Sequence, residues 1–273
     1  MTSPISARLT PEEVAGRLEG EQSIDQLMCS LLPWAVAFAD APISNFLVGA
    51  IALAGSGALY AGANIEFTGM PLSASVHAEQ AAVVNAWSHG EREITAIAAT
   101  AVPCGHCRQF LMELAPPERL AVYLTGRRVT TLADLLPSAF GPQDLGAVAA
   151  LLDGKHAPLT VSIDKDDLLG EAALGAARSS YAPYTGAHAG VALQTVSGTI
   201  VTGRYAESAA YNPSLPALQS ALIELAFRGI DRTTVTAAVM VESTAAASQR
   251  AATESLLASF SRLQLRYIAI APP

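Results

Sequence analysis

The sequence predicts an α/β protein in which one domain occurs twice. Apolar stretches with the length of buried strands alternate with stretches of helical periodicity, an order typical of layered α/β domains. Residues also recur at a constant spacing of 141 positions: Ala41-Pro42 returns as Ala182-Pro183, Gly49 as Gly190 and Gly62 as Gly203. We therefore expect two related α/β domains with some parallel pairing of strands.

Local signals define the elements of the first copy. Thr10-Pro11-Glu12-Glu13 combines a capping threonine, a proline suited to the first turn and a capping glutamate, and predicts a helix ending near Gly20. A helix at 23–39 should bend at Pro33, which has no N–H to donate. The other expected elements are strands at 46–53 and 58–61, a helix at 77–87, a strand at 94–101, a helix at 104–114 and a strand at 120–124.

The repeat divides the chain into four parts. We expect an N-terminal helical segment at 1–22, a first domain at 23–128, a connector at 129–163 and a second domain at 164–273. Several prolines mark the connector, and a short helix is expected within it at 130–136.

Composition excludes several functional classes. Of the 273 residues, 51% are hydrophobic and 15% are charged, and the formal net charge is −8. A disordered chain is excluded, and the acidic balance argues against a nucleic-acid partner. A membrane partner is not expected, because the apolar runs are shorter than the ~20 residues of a spanning helix. With no export signal and three cysteines, the chain is expected in the cytoplasm.

Two short segments carry residues suited to metal chemistry. They are His77-Ala78-Glu79 and Pro103-Cys104-Gly105-His106-Cys107, each at the start of a predicted helix. Zinc favours thiolate and imidazole ligands, and a catalytic zinc keeps one position for water. We expect His77, Cys104 and Cys107 to hold one Zn²⁺ per chain, with Glu79 as the proton shuttle beside a zinc-bound hydroxide. His-x-Glu followed by Pro-Cys-x-x-Cys is the general signature of zinc deaminases.

Other interpretations of these segments are less specific. An isolated Cys-x-x-Cys is also found in structural zinc sites and redox pairs, and His106 would then be a candidate fourth ligand. In the second copy, an unbroken spacing of 141 places Leu218 at the position of His77, Ser220 at that of Glu79, Ala245 at that of Cys104 and Ser248 at that of Cys107. The second copy is therefore expected to be a degenerate, non-catalytic domain.

Four segments of the first copy resemble the cytidine deaminases. They are NFLVGA at 45–50, GANIE at 62–66, HAEQ at 77–80 and PCGHCRQF at 103–110. AFGPQDL at 139–145, together with the segment 205–213, resembles the two-domain, homodimeric branch of that family. The chain departs from the family at Val102, where Ser or Thr is frequent before Pro-Cys.

The resemblance implies a fold and a reaction. The fold is a three-layer α/β/α sandwich around a mixed five-stranded sheet, here duplicated behind a small N-terminal helical segment. The reaction is hydrolytic deamination of cytidine and 2′-deoxycytidine to uridine and 2′-deoxyuridine, by attack at C4 with release of ammonia, in pyrimidine salvage. Deaminases of a modified or antibiotic cytosine nucleoside, or of polynucleotide cytosine, remain alternatives, and so does a non-catalytic zinc-stabilised dimer.

The resemblance also implies how a nucleoside is bound. Phe46 would pack against the base, Asn64 and Glu66 would bind a ribose hydroxyl, and the backbone of Ala78 would contact the pyrimidine. In a homodimer the partner subunit would close the site with the region that contains Phe140, Ala209, Ala210 and Tyr211.

Overall fold

The computed structural model describes residues 6–18 and 23–271, which fold into two units of helices and mixed sheet. The first unit comprises Met1–Glu66, Ser75–Asp153 and Ser208–Pro213, and the second comprises Phe67–Ala74, Gly154–Glu207 and Ser214–Pro273. The expected end of the first helix, near Gly20, lies outside the described residues.

The first unit contains six helices and six strands among its described residues. The helices are α1 (Pro11–Leu18), α2 (Ile24–Ser30), α3 (Leu32–Val36), α4 (Ala78–Ser88), α5 (Gly105–Leu111) and α6 (Leu132–Leu135). The strands are β1 (Arg8–Leu9), β2 (Gly49–Ala54), β3 (Leu59–Ala63), β4 (Ile94–Ala99), β5 (Ala121–Leu124) and β6 (Thr130–Thr131).

The sheet of the first unit is mixed, with strand order β1-β3-β2-β4-β5-β6. Among the strands of the described residues in this unit, β4 and β5 form the parallel pair, and α5 lies in the connection between them. A parallel pair requires such a crossover. The chain therefore leaves the carboxyl end of β4 and enters α5 directly, which places the start of α5 at this edge of the sheet.

Two glycines show that helices cover both faces of this sheet. A Cβ atom at Gly62 would lie closer than 3.0 Å to backbone atoms of α4, and one at Gly49 would collide with the backbone of α3. Gly49 pairs with Ala63, the neighbour of Gly62 on β3, so the two glycines face opposite sides. The unit is thus a three-layer α/β/α sandwich, and the glycines allow each helix to approach the sheet closely.

The second unit repeats this design with fewer strands. Its elements are α7 (Leu168–Arg178), β7 (Ala189–Thr195), β8 (Ile200–Arg204), α8 (Ala217–Phe227), β9 (Val235–Ser243), α9 (Arg250–Phe260) and β10 (Arg266–Ile270). The sheet order is β10-β9-β7-β8, with β9 and β10 parallel. Gly190 lies against the backbone of α7 and Gly203 against that of α8, as Gly49 and Gly62 do against α3 and α4.

The structure corrects the expected register of the repeat. The spacing of 141 holds for β3 and β8, but α4 begins at Ala78 and α8 at Ala217, so the second copy is two residues shorter before this helix. His77 and Pro216 are the equivalent cap residues, and Glu79 therefore corresponds to Leu218. The cap of α9 is Gln249 where that of α5 is Cys104, so Ala245 and Ser248 are not the counterparts of the cysteines.

Element boundaries differ from expectation where side chains compete with backbone pairing. The first long strand begins at Gly49 rather than at residue 46, because the Asn64 side chain binds the backbone at Phe46 and Val48. The expected helix at 23–39 is divided at Leu31 into α2 and α3. The sheets have six and four strands within the described ranges, rather than five each, and two of the six are only two residues long. No helix in the described part of the chain is long and apolar enough to cross a membrane.

Candidate active site

Three side chains from two helix starts converge in the first unit. His77 is the residue that precedes α4, Cys104 is the residue that precedes α5, and Cys107 lies in the first turn of α5. Their ligand atoms all lie within 4.8 Å of one another. The Cys104 sulfur is 3.4 Å from Nδ1 of His77 and 3.6 Å from the Cys107 sulfur.

Local sequence explains why these residues sit at helix starts. The His77 N–H donates to Oε1 of Gln80 at 3.2 Å, which is half of a capping box at the start of α4. Before α5, Nε of Arg108 donates to the carbonyl of Pro103 at 2.7 Å, and its Nη1 donates to the carbonyl of Leu135. Arg108 therefore braces the loop that presents Cys104, a role that the sequence motif did not reveal.

Glu79 lies beside this group and is almost fully buried, with 4% of its surface exposed. The Cys107 thiol donates to Oε2 of Glu79 at 3.1 Å. Burial raises the pKa of Glu79, although the hydrogen bond from Cys107 partly opposes the shift. The buried carboxylate thus contacts the ligand group at Cys107 without being one of the three ligand residues.

The electrostatics of the group favour an anionic sulfur at Cys104. Hydrogen bonding with Cys107 and then with His77 lowers the pKa of Cys104 to about 3. The same interactions raise the pKa of His77, through Cys104, and that of Cys107, through Cys104 and burial. Thiolates are also favoured at the starts of helices, where the backbone N–H groups are unpaired.

The donor set fits zinc. Two sulfurs and one imidazole nitrogen are ligands that Zn²⁺ prefers, and three protein ligands leave a fourth position for water. Two thiolates and a neutral imidazole would balance the charge of the ion. In the described part of the chain, the His, Cys, Asp and Glu side chains that converge closely enough to hold a metal are these three, and His106 is not among them.

A loop of the first unit, before β2, carries Phe46, and two further residues expected to bind the nucleoside hold this loop. Phe46 is 61% exposed, and the loop around it is fixed by two side chains from the end of β3. Asn64 accepts from the Val48 N–H and donates to the Phe46 carbonyl, at 2.8 and 2.9 Å. The buried Glu66 accepts from the N–H groups of Ile43 and Ser44 and from the Ser44 hydroxyl.

The other expected residues also fall within the first unit. Ala78 is buried at the start of α4, adjacent to both His77 and Glu79. Phe140 is exposed, and its carbonyl accepts from the Gln109 side chain. Ala209, Ala210 and Tyr211 belong to the segment Ser208–Pro213, which groups with this unit. In the second unit, the residues equivalent to His77 and Glu79 are Pro216 and Leu218, which cannot bind a metal through their side chains.

This fold, with a His-Cys-Cys group and a buried glutamate at two helix starts, defines the class of zinc-dependent deaminases. Two family models, each described as the cytidine and deoxycytidylate deaminase zinc-binding region, match residues 23–124 and 132–254. The chain belongs to this cytidine and deoxycytidylate deaminase family. The expected family, α/β/α fold and zinc cofactor are thereby confirmed.

Individual cytidine deaminases of other organisms are similar to this chain. The chain is 48% identical to a cytidine deaminase of Serratia proteamaculans over 86% of this chain and 80% of the relative. It is 46% identical to a cytidine deaminase of Proteus mirabilis over the same shares, and 49% identical to one of Yersinia pestis over 80% and 74%. A crystal structure of cytidine deaminase from Mycobacterium tuberculosis is 32% identical, with a TM-score of 0.41, over 44% of this chain and 99% of that one.

Proposed function

We propose that this chain hydrolyses cytidine and 2′-deoxycytidine to uridine and 2′-deoxyuridine with release of ammonia. The observation that carries the proposal is the buried carboxylate of Glu79, placed 3.1 Å from a sulfur of the His77, Cys104 and Cys107 group. A purely structural zinc site has no use for a proton-transferring carboxylate. The names of the relatives support the nucleoside as substrate.

His77, Cys104 and Cys107 would hold the zinc ion. When bound, zinc lowers the pKa of a water ligand from 15.7 toward ~7, and so supplies a nucleophile at neutral pH. The remaining chemistry is proton transfer. Attack at C4 requires that N3 of the ring gains a proton and that the amine leaves protonated. Glu79 would take the proton from water and deliver it to the substrate, a role that typically contributes ~10²–10⁴-fold to the rate.

Recognition of the nucleoside would use the loop that contains Phe46. We propose that the exposed ring of Phe46 packs on the base and that the Ala78 backbone contacts the pyrimidine. Asn64 and Glu66, which fix this loop, would also bind a ribose hydroxyl through their remaining lone pairs. A hydrogen bond is worth ~0.5–1.5 kcal/mol between neutral groups and ~1.5–3 kcal/mol to a charged group, so free cytosine, which cannot form these bonds, should be a much poorer substrate than cytidine.

We also propose a homodimer in which Phe140, Ala209, Ala210 and Tyr211 of the partner subunit close the site. The exposure of two aromatic residues supports this proposal, because Phe140 and Tyr211 are 46% and 55% exposed in the single chain.

The proposed domain boundaries are 23–128 for the catalytic domain and 164–273 for the degenerate domain. The segments 1–22 and 129–163 lie outside both domains. A cytoplasmic location suits a site that depends on reduced thiols.

The test is the loss of cytidine ultraviolet absorbance with the wild type and with Glu79→Ala, with zinc measured in the same samples. We expect about one zinc per chain in both and at least 100-fold slower turnover in the variant. Glu118→Ala, at an exposed glutamate, is the matched control and should behave as the wild type. Wild-type protein that contains zinc but leaves cytidine unchanged would overturn the proposal.

A further inference from the structure

A short segment from the second half of the chain belongs to the first unit. Residues Ser208–Pro213, which we call the bridging segment, lie between β8 and α8 in the sequence but group with the unit that carries the metal-ligand group. Two buried polar side chains of that unit hold its ends: Gln80 in the first turn of α4, and Glu113 just after the end of α5.

The first anchor is Glu113, which follows α5 and is fully buried. Its Oε1 accepts the N–H of Ala209 at 2.7 Å. Burial of a carboxylate is unfavourable unless hydrogen bonds replace its hydration, so this contact is a strong local restraint. The N–H of Glu113 also donates to the carbonyl of Phe110, the penultimate residue of α5, which connects the anchor to the helix that carries Cys107.

The second anchor is Gln80, which is buried in the first turn of α4. Its Nε2 donates to the carbonyl of Pro213 at 2.8 Å. Its Oε1 accepts the N–H of His77. One amide group therefore joins the bridging segment to the backbone of a ligand residue.

Between its anchors the bridging segment forms a turn with internal hydrogen bonds. The N–H of Tyr211 donates to the carbonyl of Ser208 at 2.8 Å, and the N–H of Asn212 donates to that of Ala210 at 2.7 Å. Tyr211 has φ +59, a left-handed conformation that is unfavourable for a residue with a side chain and persists only where the surroundings impose it. A short turn of this kind can hold two elements at a fixed separation.

We propose that Glu113 and Gln80 are positioning residues that act through the bridging segment to fix the separation of the two helix starts that carry His77, Cys104 and Cys107. The proposal rests on the proposed function insofar as it takes zinc as the metal. Loss of residues that support the metal ligands commonly changes metal affinity 10–100-fold. Glu113 and Gln80 would act on the positions of the helices rather than by hydrogen bonds to the ligand side chains. The second repeat would thus contribute to the metal site despite carrying no ligand.

The experiment compares Glu113→Ala with Glu113→Gln in the full chain. Alanine removes the acceptor of the Ala209 N–H, whereas glutamine keeps an oxygen at the same place. We expect release of zinc to a chromogenic chelator to be about tenfold faster or more in Glu113→Ala and within twofold of wild type in Glu113→Gln. The cobalt-substituted protein supplies an independent readout, because its visible bands report the ligand geometry. Those bands should shift in the alanine variant only.

A second pair of variants tests the other anchor. Gln80→Ala should also release zinc faster, whereas Gln219→Ala, at the equivalent position in α8, should not. Unaltered zinc release and cobalt bands in both Glu113→Ala and Gln80→Ala would overturn the proposal, and so would a Glu113→Gln protein as impaired as Glu113→Ala. If the zinc release of these variants equals that of a wild type that binds zinc and deaminates cytidine, the positioning proposal is wrong and the proposed function stands. If the wild type binds zinc but does not act on cytidine, the proposed function is wrong, and the release rates still test positioning.

Discussion

At the scale of single residues, the same carboxylate contacts occur in both repeats. Glu66 accepts hydrogen bonds from the backbone of Ile43 and from the backbone and hydroxyl of Ser44. Glu207, 141 positions later, accepts the equivalent set from Tyr184 and Thr185. Because the second copy has no metal ligands at the positions of the first, these bonds stabilise the loop and do not depend on catalysis. Glu66 is therefore proposed to serve both the loop and the substrate.

This role gives Glu66 a measurable pH dependence. Burial alone would raise the pKa of Glu66, but the hydrogen bonds from Ser44 and Ile43 outweigh it and leave the pKa below its ordinary value of 4.5. A carboxyl whose pKa is lowered by folding stabilises the protein fully above the unfolded value, and this contribution is lost as the pH falls through the folded value. We expect Glu66→Gln to reduce the free energy of unfolding by about 1 kcal/mol at pH 7.

Urea unfolding between pH 3 and pH 7 checks this prediction. The difference between wild type and Glu66→Gln should shrink as the pH falls below 4.5, since a protonated Glu66 resembles glutamine. Glu118→Gln, at an exposed glutamate, should show no such convergence. A difference that stays constant across this range would show that the charge of Glu66 is not what stabilises the loop.

The cysteines allow a second prediction at this scale. Cys104→Ala removes one of the two sulfurs of the ligand group, so we expect the purified protein to lose most of its zinc and its activity together. Cys29→Ala is the matched control, because Cys29 is a partly buried residue of α2 outside that group. Measurement of the zinc content of both purified variants tests this prediction. A Cys104→Ala protein that retains one zinc per chain would contradict the ligand assignment.

Among single residues, the sequence motif identified those whose side chains meet at the metal-ligand group and missed those that support them. His77, Glu79, Cys104 and Cys107 occur in two short, recognisable segments. Gln80 and Arg108 directly follow these segments, but their roles depend on partners at Pro213 and Leu135 that no local pattern predicts. Glu113 similarly contacts Ala209, 96 residues away. Long-range hydrogen bonds of this kind leave no periodic signal in one sequence.

At the scale of helices and strands, the position of the metal-ligand group depends on close packing of α4 on β3. A Cβ atom at Gly62 would collide with the Ala78 carbonyl and with the backbone of Ala82. Gly62→Ala should therefore displace the start of α4, where His77 and Glu79 lie. Overpacking typically costs about 1–3 kcal/mol, and a collision with backbone cannot be relieved by rotating a side chain.

Thermal unfolding and zinc content together test the effect of Gly62→Ala. We expect a lower melting temperature and reduced zinc occupancy. Gly16→Ala is the control, since a Cβ there meets nothing within 4 Å and alanine favours the helix by up to about 1 kcal/mol. Full zinc occupancy in Gly62→Ala, with unchanged stability, would mean that α4 can shift without disturbing the ligands.

The types of the longer elements were predictable because each has a strong local signal. The helix at α4 and the strand at β4 were expected from composition and length, and both are present. The two-residue strands β1 and β6 were missed, since they exist only by pairing with β3 and β5. The gap before α8 was also missed, because the equivalent cap is a proline rather than a histidine and the repeat offers no match across it.

At the scale of the whole molecule, exposed apolar side chains support the proposed dimer. Ile43, Phe46, Leu47, Phe140 and Tyr211 are all more than 40% exposed in the first unit. Contiguous exposed apolar residues are usually covered by a partner, and we propose that the dimer covers these five. Light scattering should therefore give a mass of twice 28.2 kDa in solution. A monomer at micromolar concentration that deaminates cytidine normally would contradict the dimer.

Subunit mixing tests whether the partner completes the site. A Glu79→Ala chain keeps its closing residues, and a Phe140→Ala chain keeps its proton shuttle, so each homodimer should be weakly active. If Phe140 acts across the interface, a mixed dimer has one complete site, formed by Glu79 of one chain and Phe140 of the other. Random re-pairing of equal amounts should then restore about a quarter of the wild-type activity.

The control mixture combines Glu79→Ala with Cys104→Ala. Both changes lie in the same group of the first unit, so no pairing of these chains produces a complete site, and activity should not recover. Recovery only in the Glu79→Ala and Phe140→Ala mixture would place Phe140 in the partner's site. Without recovery there, despite dimers confirmed by light scattering, Phe140 would act within its own chain or not at all. The protein would then be a homodimer in which Phe140 does not contribute to the active site of the partner.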